Sequence, residues 1–195
     1  MKAQLNIDLR GYWHAGGGRD GGRVYDAVVQ RDPDGLPLLP GRHLKGLLRD
    51  AATRAEAWGW EGFTGLARTL FGSRNPAGGD VSDGGCLRIS DARLPEPQRR
   101  YLASENGRKL LPGLYAGMYN TAVRHDTGTA LDHSLRGIEV TIPVMLQAWI
   151  EPVPGMTPPD QWSKHIGELL PLIDAVGAHR SRGLGRAEIT LEVAE

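Results

Sequence analysis

The sequence predicts a domain of the α+β class, and three patterns carry that prediction. Leu5, Ile7 and Leu9 alternate with polar residues, which predicts that they share the buried face of a first strand within residues 3–13. β-Branched residues concentrate in 137–151 and predict a strand there. Pro143 indicates that this strand lies at a sheet edge, contains a bulge or is broken into two strands. Apolar residues at helical spacing predict a helix over 41–57, with an inward stripe of Leu44, Leu47, Leu48, Ala51, Ala52 and Ala55.

The remaining elements complete a βαββαβ order. Residues 86–94 and 185–194 are predicted strands. A second helix is predicted from Thr157, which would cap it, with Pro158 as its first residue. Pro171 should kink this helix or end its first part, and Gly177 should end it. The βαββαβ order is ferredoxin-like, an arrangement that RNA-recognition modules also have.

Two segments interrupt this order and are interpreted as insertions. Residues 58–85 begin with aromatic side chains and become rich in Gly and Asp after Gly72, with a short helix expected near 65–71. Residues 95–136 are polar and have no predicted structure of their own, which is typical of a functional insertion rather than a connector. We therefore expect residues 1–195 to form one domain, as the length also suggests.

Composition excludes several classes of protein. With 40% hydrophobic and 24% charged residues, the chain is not of the disordered class. No run of 18 apolar residues predicts a membrane span, and Asp8 and Arg10 interrupt the only stretch near the start that could resemble a signal core. One cysteine, Cys86, excludes an internal disulfide and a cysteine-based zinc site, so a reducing cytoplasm is expected. Cys86 itself should be a small core residue.

The net charge of zero argues weakly against a nucleic-acid partner, but the charges are unevenly distributed. The segment GLPLLPGRHLKGLLR, residues 35–49, opens the predicted helix with Arg42, Lys45 and Arg49 along one stripe. Unpaired amides at a helix start and the helix dipole favour an anion there. The alternative is a solvent-exposed basic helix face without a ligand, and this segment alone is equally consistent with it.

A second basic segment, GAHRSRGLGR at residues 177–186, joins a predicted helix to the last strand. Glycines at 177, 183 and 185 would permit positive φ and close approach of a backbone to a ligand. Its arginines, Arg180, Arg182 and Arg186, suit phosphates. It is not a dinucleotide fingerprint, because it follows a helix and precedes a strand. A tight helix–strand loop without a ligand is the alternative.

Four motifs in order resemble the RAMP superfamily of CRISPR-associated proteins. PLLPGRHLKGLLR resembles the family's (I/L)PG-S-S-(L/I)-KG-x-(L/M)-R pattern, with Arg42 and His43 where serines are usual. AHRSRGLGRAEI is similar to its C-terminal glycine-rich loop. TAVRHDTGTALDHSLRGIEV (121–140) and WHAGGGRDGGRVYDAVVQRDPDG (13–35) resemble two segments of the backbone subunit of type III CRISPR effector complexes. Residues of roughly 58–120 and 150–176 match no motif.

The resemblance implies a modified ferredoxin-like fold in which an inserted hairpin, the thumb, enters the guide–target duplex. Residues 124–136 would belong to the thumb. Several copies would stack along one guide RNA with other effector subunits, and target RNA would be cut beside each thumb in a reaction that requires a divalent metal, Mg²⁺. The aspartate implicated in cleavage matches Asp26, and the histidine of the first loop, which supports guide binding, matches His14. No membrane partner is implied. RNA contacts are expected from His14, Arg42, Lys45, Arg49, Arg124, Arg180, Arg182 and Arg186.

Cleavage at Asp26 is chemically plausible because a 2′-OH beside the scissile phosphate can act as the internal nucleophile. The protein would supply in-line geometry, a proton acceptor and charge stabilisation. A carboxylate can act as a base or hold a metal ion. Asp20 is the alternative carboxylate, whereas Asp32 and Asp34 have the pattern of turn residues. Without the resemblance, Asp26 would be read as a structural loop residue.

Three other functions stay open at this point. The chain could be an RNA-binding scaffold subunit without catalysis. It could be a guide-processing endoribonuclease using His14, Tyr25 and Lys45, although the thumb-like segment argues against that. It could also be a small ferredoxin-like enzyme or regulator with no RNA. Trp58 and Trp60 could stack on bases, but packing against the core is the preferred interpretation.

Overall fold

The fold is described from a computed structural model that covers residues 1–18, 22, 24–73 and 83–194. The strands are β1 (Lys2–Leu9), β2 (Leu38–Leu39), β3 (Leu87–Ile89), β4 (Ala92–Arg93), β5 (Tyr115–Asn120), β6 (Arg136–Thr141), β7 (Met145–Pro152) and β8 (Ala187–Ala194). The helices are α1 (Gly41–Ala57), α2 (Leu66–Phe71), α3 (Glu96–Ala103), α4 (Glu105–Arg108) and α5 (Trp162–Leu169). Short 3₁₀ turns follow at Leu111–Leu114, Leu170–Leu172 and Arg180–Arg182.

The main sheet confirms the predicted α+β class and ferredoxin-like topology. Its strand order is β2-β4-β7-β1-β8, β3 also pairs with β7, and every pairing in it is antiparallel. β1 is therefore central, between β7 and β8. Leu5, Ile7 and Leu9 are buried, as their alternation predicted, and Ala3 is buried on the same face.

The core lies between this sheet and helices α1 and α5. All of the predicted inward residues of α1 are buried, from Leu44 to Ala55, and the helix has the predicted bounds. They form one cluster with Trp162, Ile166 and Leu169 of α5. Cys86 is buried in the same cluster, as expected. None of the described helices is both long and apolar enough to cross a membrane.

The predicted start of the second helix is wrong. Helix α5 begins at Trp162 rather than after Thr157, and Gln161 occupies the capping position. The reason is the proline pair, since Pro159 disfavours the helical conformation at Pro158, which had been assigned to the first turn. Pro171 ends the α-helix as expected, because the chain continues through it only as a 3₁₀ turn.

Two predicted strands are each divided in the structure. Pro143 lies in the break between β6 and β7, which join different sheets. The segment 86–94 forms β3 and β4 rather than one strand. The first strand is also shorter than predicted and ends at Leu9.

The segment 95–136 has secondary structure of its own, so the expectation that it lacks any is wrong. It contains α3, α4 and β5 and ends at the start of β6. β5 and β6 pair as a separate antiparallel hairpin, from Tyr115 opposite Thr141 to Asn120 opposite Arg136. Its connecting segment, residues 121–135, is exposed except at Ser134, which is half-buried. We call β5, β6 and this connection the hairpin.

Candidate nucleic-acid interface

The first predicted RNA-binding segment lies at the start of α1. Gly41 is required there, because a Cβ on it would lie 2.3 Å from the carbonyl oxygen of Ile89. The Gly41 amide donates to Asp91 Oδ1 at 2.9 Å. This carboxylate already occupies the first amide, so the expectation of an unpaired anion site at the helix start is wrong at that position. The positive charge comes instead from Arg42, Lys45 and Arg49.

The second predicted segment, residues 177–186, is a tightly hydrogen-bonded loop. Gly177, Gly183 and Gly185 all have positive φ, as predicted. The close backbone approaches are to the chain itself, because a Cβ on Gly185 would lie 1.8 Å from the carbonyl oxygen of Val176. His179 also adopts the left-handed conformation, with φ of 57°. The loop thus holds Arg180 and Arg182 on an exposed 3₁₀ turn.

His43, which stands where the family pattern usually has serine, links these two segments by a hydrogen bond. The Gly177 amide donates to His43 Nε2 at 2.8 Å, so His43 is a neutral acceptor. Burial lowers the pKa of His43, and the charge of Arg180 lowers it further. The contact spans 134 residues of sequence. It connects the start of α1 to the loop that carries the arginines.

His14 lies in the interior, with 3% of its surface exposed. Its Nδ1 lies 2.6 Å from the Glu139 carbonyl oxygen, and since a carbonyl only accepts, the nitrogen is the donor. The His14 carbonyl accepts the Ala178 amide at 2.7 Å. His14 therefore connects the N-terminal loop, the second basic segment and β6, and in this arrangement its ring is not available to an RNA strand.

Asp26 lies where the N-terminal loop meets the hairpin. Its Oδ2 accepts the Gly137 amide at 2.8 Å, and its Oδ1 accepts Arg136 Nη1 at 3.2 Å. The Gly137 hydrogen bond, assisted by Arg136, holds the pKa of Asp26 below its usual value. The side chain is 45% exposed. Asp26 is therefore an ionised, accessible carboxylate at the base of the hairpin, while Asp20 lies outside the described residues.

Two tyrosines lie beside Asp26. The rings of Tyr25 and Tyr119 stack with centroids 6.1 Å apart. A hydrogen bond with Tyr119 raises the pKa of Tyr25, so its phenol stays protonated at neutral pH. A Cβ on Gly117 would lie 2.7 Å from the Tyr25 hydroxyl, so a side chain at that position of β5 would displace the Tyr25 ring.

The ion pairs divide the described cations into two sets. Most described lysines and arginines pair with a carboxylate: Lys2, Arg10, Arg31, Arg54, Arg68, Arg88, Arg93, Arg99, Arg100, Arg136 and Lys164. No ion pair within the described part of the chain involves the others, which are Arg42, Lys45, Arg49, Arg108, Lys109, Arg124, Arg180, Arg182 and Arg186. Every cation predicted to contact RNA is in the second set.

This division has a functional meaning because an unpaired cation can accept an anionic ligand without first losing a carboxylate. Arg108 and Lys109 belong to the set but were not predicted as RNA contacts. The only sign of them in the sequence is that they are consecutive basic residues, in the GRK sequence, with no acidic residue next to them. Arg124 lies in the exposed connection of the hairpin, where its amide donates to the Thr129 carbonyl.

The aromatic insertion departs from its prediction. Trp58 is 59% exposed and Trp60 is 36% exposed, so the interpretation of both as core residues is wrong. Positive-φ glycines at 59 and 62 turn the chain sharply after α1 and leave Phe63, rather than the tryptophans, buried in the core. Trp60 contacts Phe63 edge-on, with centroids 5.6 Å apart.

The described residues do not form a resident metal centre. No group of three or more His, Cys, Asp or Glu side chains within them is arranged to hold a metal ion. Asp26 offers one carboxylate, and the Arg136 guanidinium already contacts one of its oxygens. Mg²⁺ typically takes one or two carboxylates together with phosphates of its substrate. The described residues alone therefore do not fit the implied ion.

Comparison with solved structures defines the class of fold. A chain of a type III-B Cmr-beta complex bound to cognate target RNA superposes with a TM-score of 0.73 at 10% identity, covering 98% of this chain and 97% of that one. A chain of apo Cmr-beta gives 0.69 at 10% identity with the same coverage, and a chain of a type IV-B CRISPR complex gives 0.62 at 15%, covering 100% and 91%. The fold is thus one found in subunits of CRISPR complexes.

The family follows from a second comparison. The model of the RAMP superfamily matches residues 6–188. The chain belongs to the RAMP superfamily, which confirms the resemblance drawn from the four motifs. No curated protein matches the sequence significantly.

Proposed function

We propose that this chain is a guide-RNA-binding subunit of a cytoplasmic CRISPR effector complex and that it cleaves guide-paired target RNA. The observation that carries the binding part is that every lysine and arginine predicted from the motifs to contact RNA has no ion pair in the described part of the chain. Phosphate contacts from these cations would provide affinity and register, while base pairing with the guide would provide sequence specificity. The exposed hairpin would act as the thumb. Copies of the chain and other effector subunits would be its protein partners.

Cleavage is proposed at Asp26 because of its position and ionisation. The carboxylate is exposed at the base of the hairpin and carries its charge at neutral pH. Its low pKa makes it a weak proton acceptor, so its role would be to position the reacting ribose or an ion bound by RNA phosphates. We expect Mg²⁺ to be required, with RNA rather than the chain supplying most ligands. The requirement is tested by adding EDTA to the assay below.

A scaffold without catalysis is the second candidate, and the two hydrogen bonds of Asp26 favour it. They fix the N-terminal loop to β6, which is a sufficient structural reason for an aspartate at this position. The guide-processing alternative is less well supported, because buried His14 would first have to leave its contact with Glu139.

The test uses the assembled, guide-bound complex with labelled complementary RNA and Mg²⁺. Asp26→Asn can still accept the Gly137 amide, whereas Asp26→Ala loses both hydrogen bonds. Asp132→Asn, in the exposed connection of the hairpin, is the matched control. Cleavage at Asp26 predicts regularly spaced fragments with wild type and control, and none with either Asp26 variant although target binding is retained.

Other results would support the scaffold instead. If Asp26→Asn cleaves like wild type and only Asp26→Ala loses cleavage together with stability, the residue is structural. Target binding without cleavage by every protein would also leave a scaffold. Purification of the complex without any guide RNA would refute the binding function itself.

A further inference from the structure

Two adjacent cavities share lining residues, and we call them the two lobes of a cleft. The first lies against the N-terminal loop and the start of α1, and the second lies between that loop and the segment that leads into β5. One lobe has a volume of about 640 Å³ and the other about 510 Å³. Arg31, Gly35 and Glu139 line both lobes, so the Arg31–Glu139 ion pair stands between them. Residues of the motif segments line most of the first lobe, but neither the motifs nor the proposed cleavage site assigns a ligand to either lobe.

Arg31 forms a fixed, planar surface in the cleft. Its guanidinium carbon lies 3.7 Å from the centroid of the Tyr115 ring, and its Nη2 lies 2.6 Å from Glu139 Oε1. The Tyr115 hydroxyl donates to the Gly35 carbonyl oxygen at 2.6 Å. Burial raises the pKa of Tyr115 to about 12, so this donor stays protonated. Stacking and pairing thus fix the guanidinium in one orientation.

The Arg31 side chain borders open space, since it lines both lobes. Only one face packs on Tyr115, and the side chain is 41% exposed. RNA bases stack on arginine guanidinium planes as they do on aromatic rings. A guanidinium already held in place loses little conformational freedom when a base stacks on it.

Each lobe of the cleft is lined by one unpaired cation. Arg42 lines the first lobe and Arg108 lines the second, and neither has an ion-pair partner in the described chain. Arginine recognises phosphate through paired hydrogen bonds. A stacking plane between two phosphate-binding cations matches the alternating chemistry of a nucleotide strand.

We infer that this cleft binds one nucleotide of an RNA strand, with the base stacked on Arg31 and flanking phosphates at Arg42 and Arg108. The inference rests on the proposed RNA-binding function and adds a base-contacting site to it. The carboxylates of an acidic peptide could pair with the two arginines, but its acidic side chains carry no ring to stack on the Arg31 guanidinium.

The test separates stacking from charge in the full-length protein. Affinities are measured for a labelled single-stranded oligoribonucleotide and for an abasic strand of the same length. Arg31→Lys keeps the charge but removes the plane, and Arg88→Lys is the matched control, because Arg88 is also paired with a glutamate, Glu151. We expect Arg31→Lys to weaken binding of the base-containing strand by at least about fivefold, the lower range for one stacked base. Binding of the abasic strand should stay unchanged, as should both affinities of the control.

The remaining outcomes overturn the inference in distinguishable ways. Equal losses on both strands would mean that Arg31 acts through hydrogen bonds to the sugar–phosphate backbone or through the local fold and not by stacking, and no loss on either would mean that its charge alone suffices and no base stacks there. Wild-type binding of polyglutamate as tight as that of RNA, with the same dependence on Arg31, would replace the nucleotide by an acidic peptide. Wild-type protein that binds neither RNA strand would refute the proposed function together with this site.

A second measurement needs no substitution and so does not depend on the folding of a variant. Wild-type protein is irradiated with 4-thiouridine-substituted RNA, and crosslinked peptides are identified by mass spectrometry. Crosslinks within residues 28–35 or at Tyr115 are expected. Crosslinks confined to α1 and residues 177–186 would overturn the inference while supporting RNA binding.

Discussion

Replacing two unpaired cations on α1 tests the proposed interface through its salt dependence. In the Lys45→Ala/Arg49→Ala variant, neither lost charge leaves an unpaired carboxylate behind, since neither residue has an ion pair in the described chain. We therefore expect stability to change by less than about 0.5 kcal/mol per site. RNA affinity should instead fall, because a charge-assisted hydrogen bond contributes about 1.5–3 kcal/mol.

The magnitude follows from counterion release. For a single strand, log K falls with log salt by about 0.7 for each phosphate neutralised. If all predicted lysines and arginines reach phosphates, the wild-type slope is about −5, and loss of two should reduce its magnitude by about 1.4. Affinity near 0.1 M salt should fall by at least about tenfold.

The assay is fluorescence anisotropy of a labelled single-stranded RNA across a series of KCl concentrations. The matched control is Lys2→Ala/Arg88→Ala, which also removes one lysine and one arginine, both paired with Glu151. Its slope should equal that of wild type. An α1 variant whose slope changes no more than that of this control would refute the assignment of unpaired cations to phosphates.

Three further predictions concern the geometry that supports this surface. Stability should fall as pH decreases below 6.5, the ordinary pKa of histidine, because the lowered pKa of His43 makes its protonation less favourable in the folded state than in the unfolded state. His43→Gln should flatten this pH dependence, and the Gly177 amide should stay protected from hydrogen exchange in that variant. Gly185→Ala should lower the free energy of unfolding, measured with denaturant, by at least about 2 kcal/mol, because its Cβ would lie 1.8 Å from a backbone oxygen. Gly183→Ala also places a side chain at positive φ but into open space, so it should lower the free energy of unfolding by about 1 kcal/mol. Trp58→Ala should change the unfolding free energy by less than about 0.5 kcal/mol, since the ring is largely exposed, and a larger loss would mean that it packs as a core residue.

The sequence predicted secondary structure best where buried residues recur at the regular spacing of a helix or a strand. Helix α1 has the predicted bounds and strand β1 buries the predicted face, although it ends earlier than predicted, because each buries a regular stripe of side chains against the other layer. Prediction failed where local conformation competes with capping chemistry. Thr157 has the composition of a cap, but the consecutive prolines that follow it delay the helix by several residues.

The site was predictable as a set of residues but not as an arrangement. Arg42, Lys45, Arg180 and Arg182 follow from their motifs. The contact of His43 with the 177–186 loop depends on tertiary packing, which no local spacing reports. The same holds for Arg31 and Tyr115, which stack although 84 positions apart in the sequence. Pairing state, which every lysine and arginine predicted from the motifs to contact RNA shares, is likewise a property of the fold.

Glu139 explains why the hairpin and the N-terminal loop should behave as one unit. This buried residue of β6 pairs with Arg31 through Oε1 and accepts the Val29 amide through Oε2 at 3.2 Å. Its own amide donates to Ala27, and its carbonyl oxygen accepts His14. The loop that carries Asp26 is thus attached to the base of the hairpin along several consecutive residues.

Removing this side chain should therefore loosen both segments at once. Glu139→Ala leaves the Val29 amide without its acceptor and Arg31 without its carboxylate, and we expect a loss of about 1–3 kcal/mol in unfolding free energy. Hydrogen exchange should accelerate together in residues 26–31 and 136–141. Glu151→Ala, which removes a half-buried glutamate that also pairs with arginine, should leave both segments protected. Faster exchange in the loop alone would contradict the mechanical coupling, and it would mean that Asp26 can move independently of the hairpin beside which it is proposed to act.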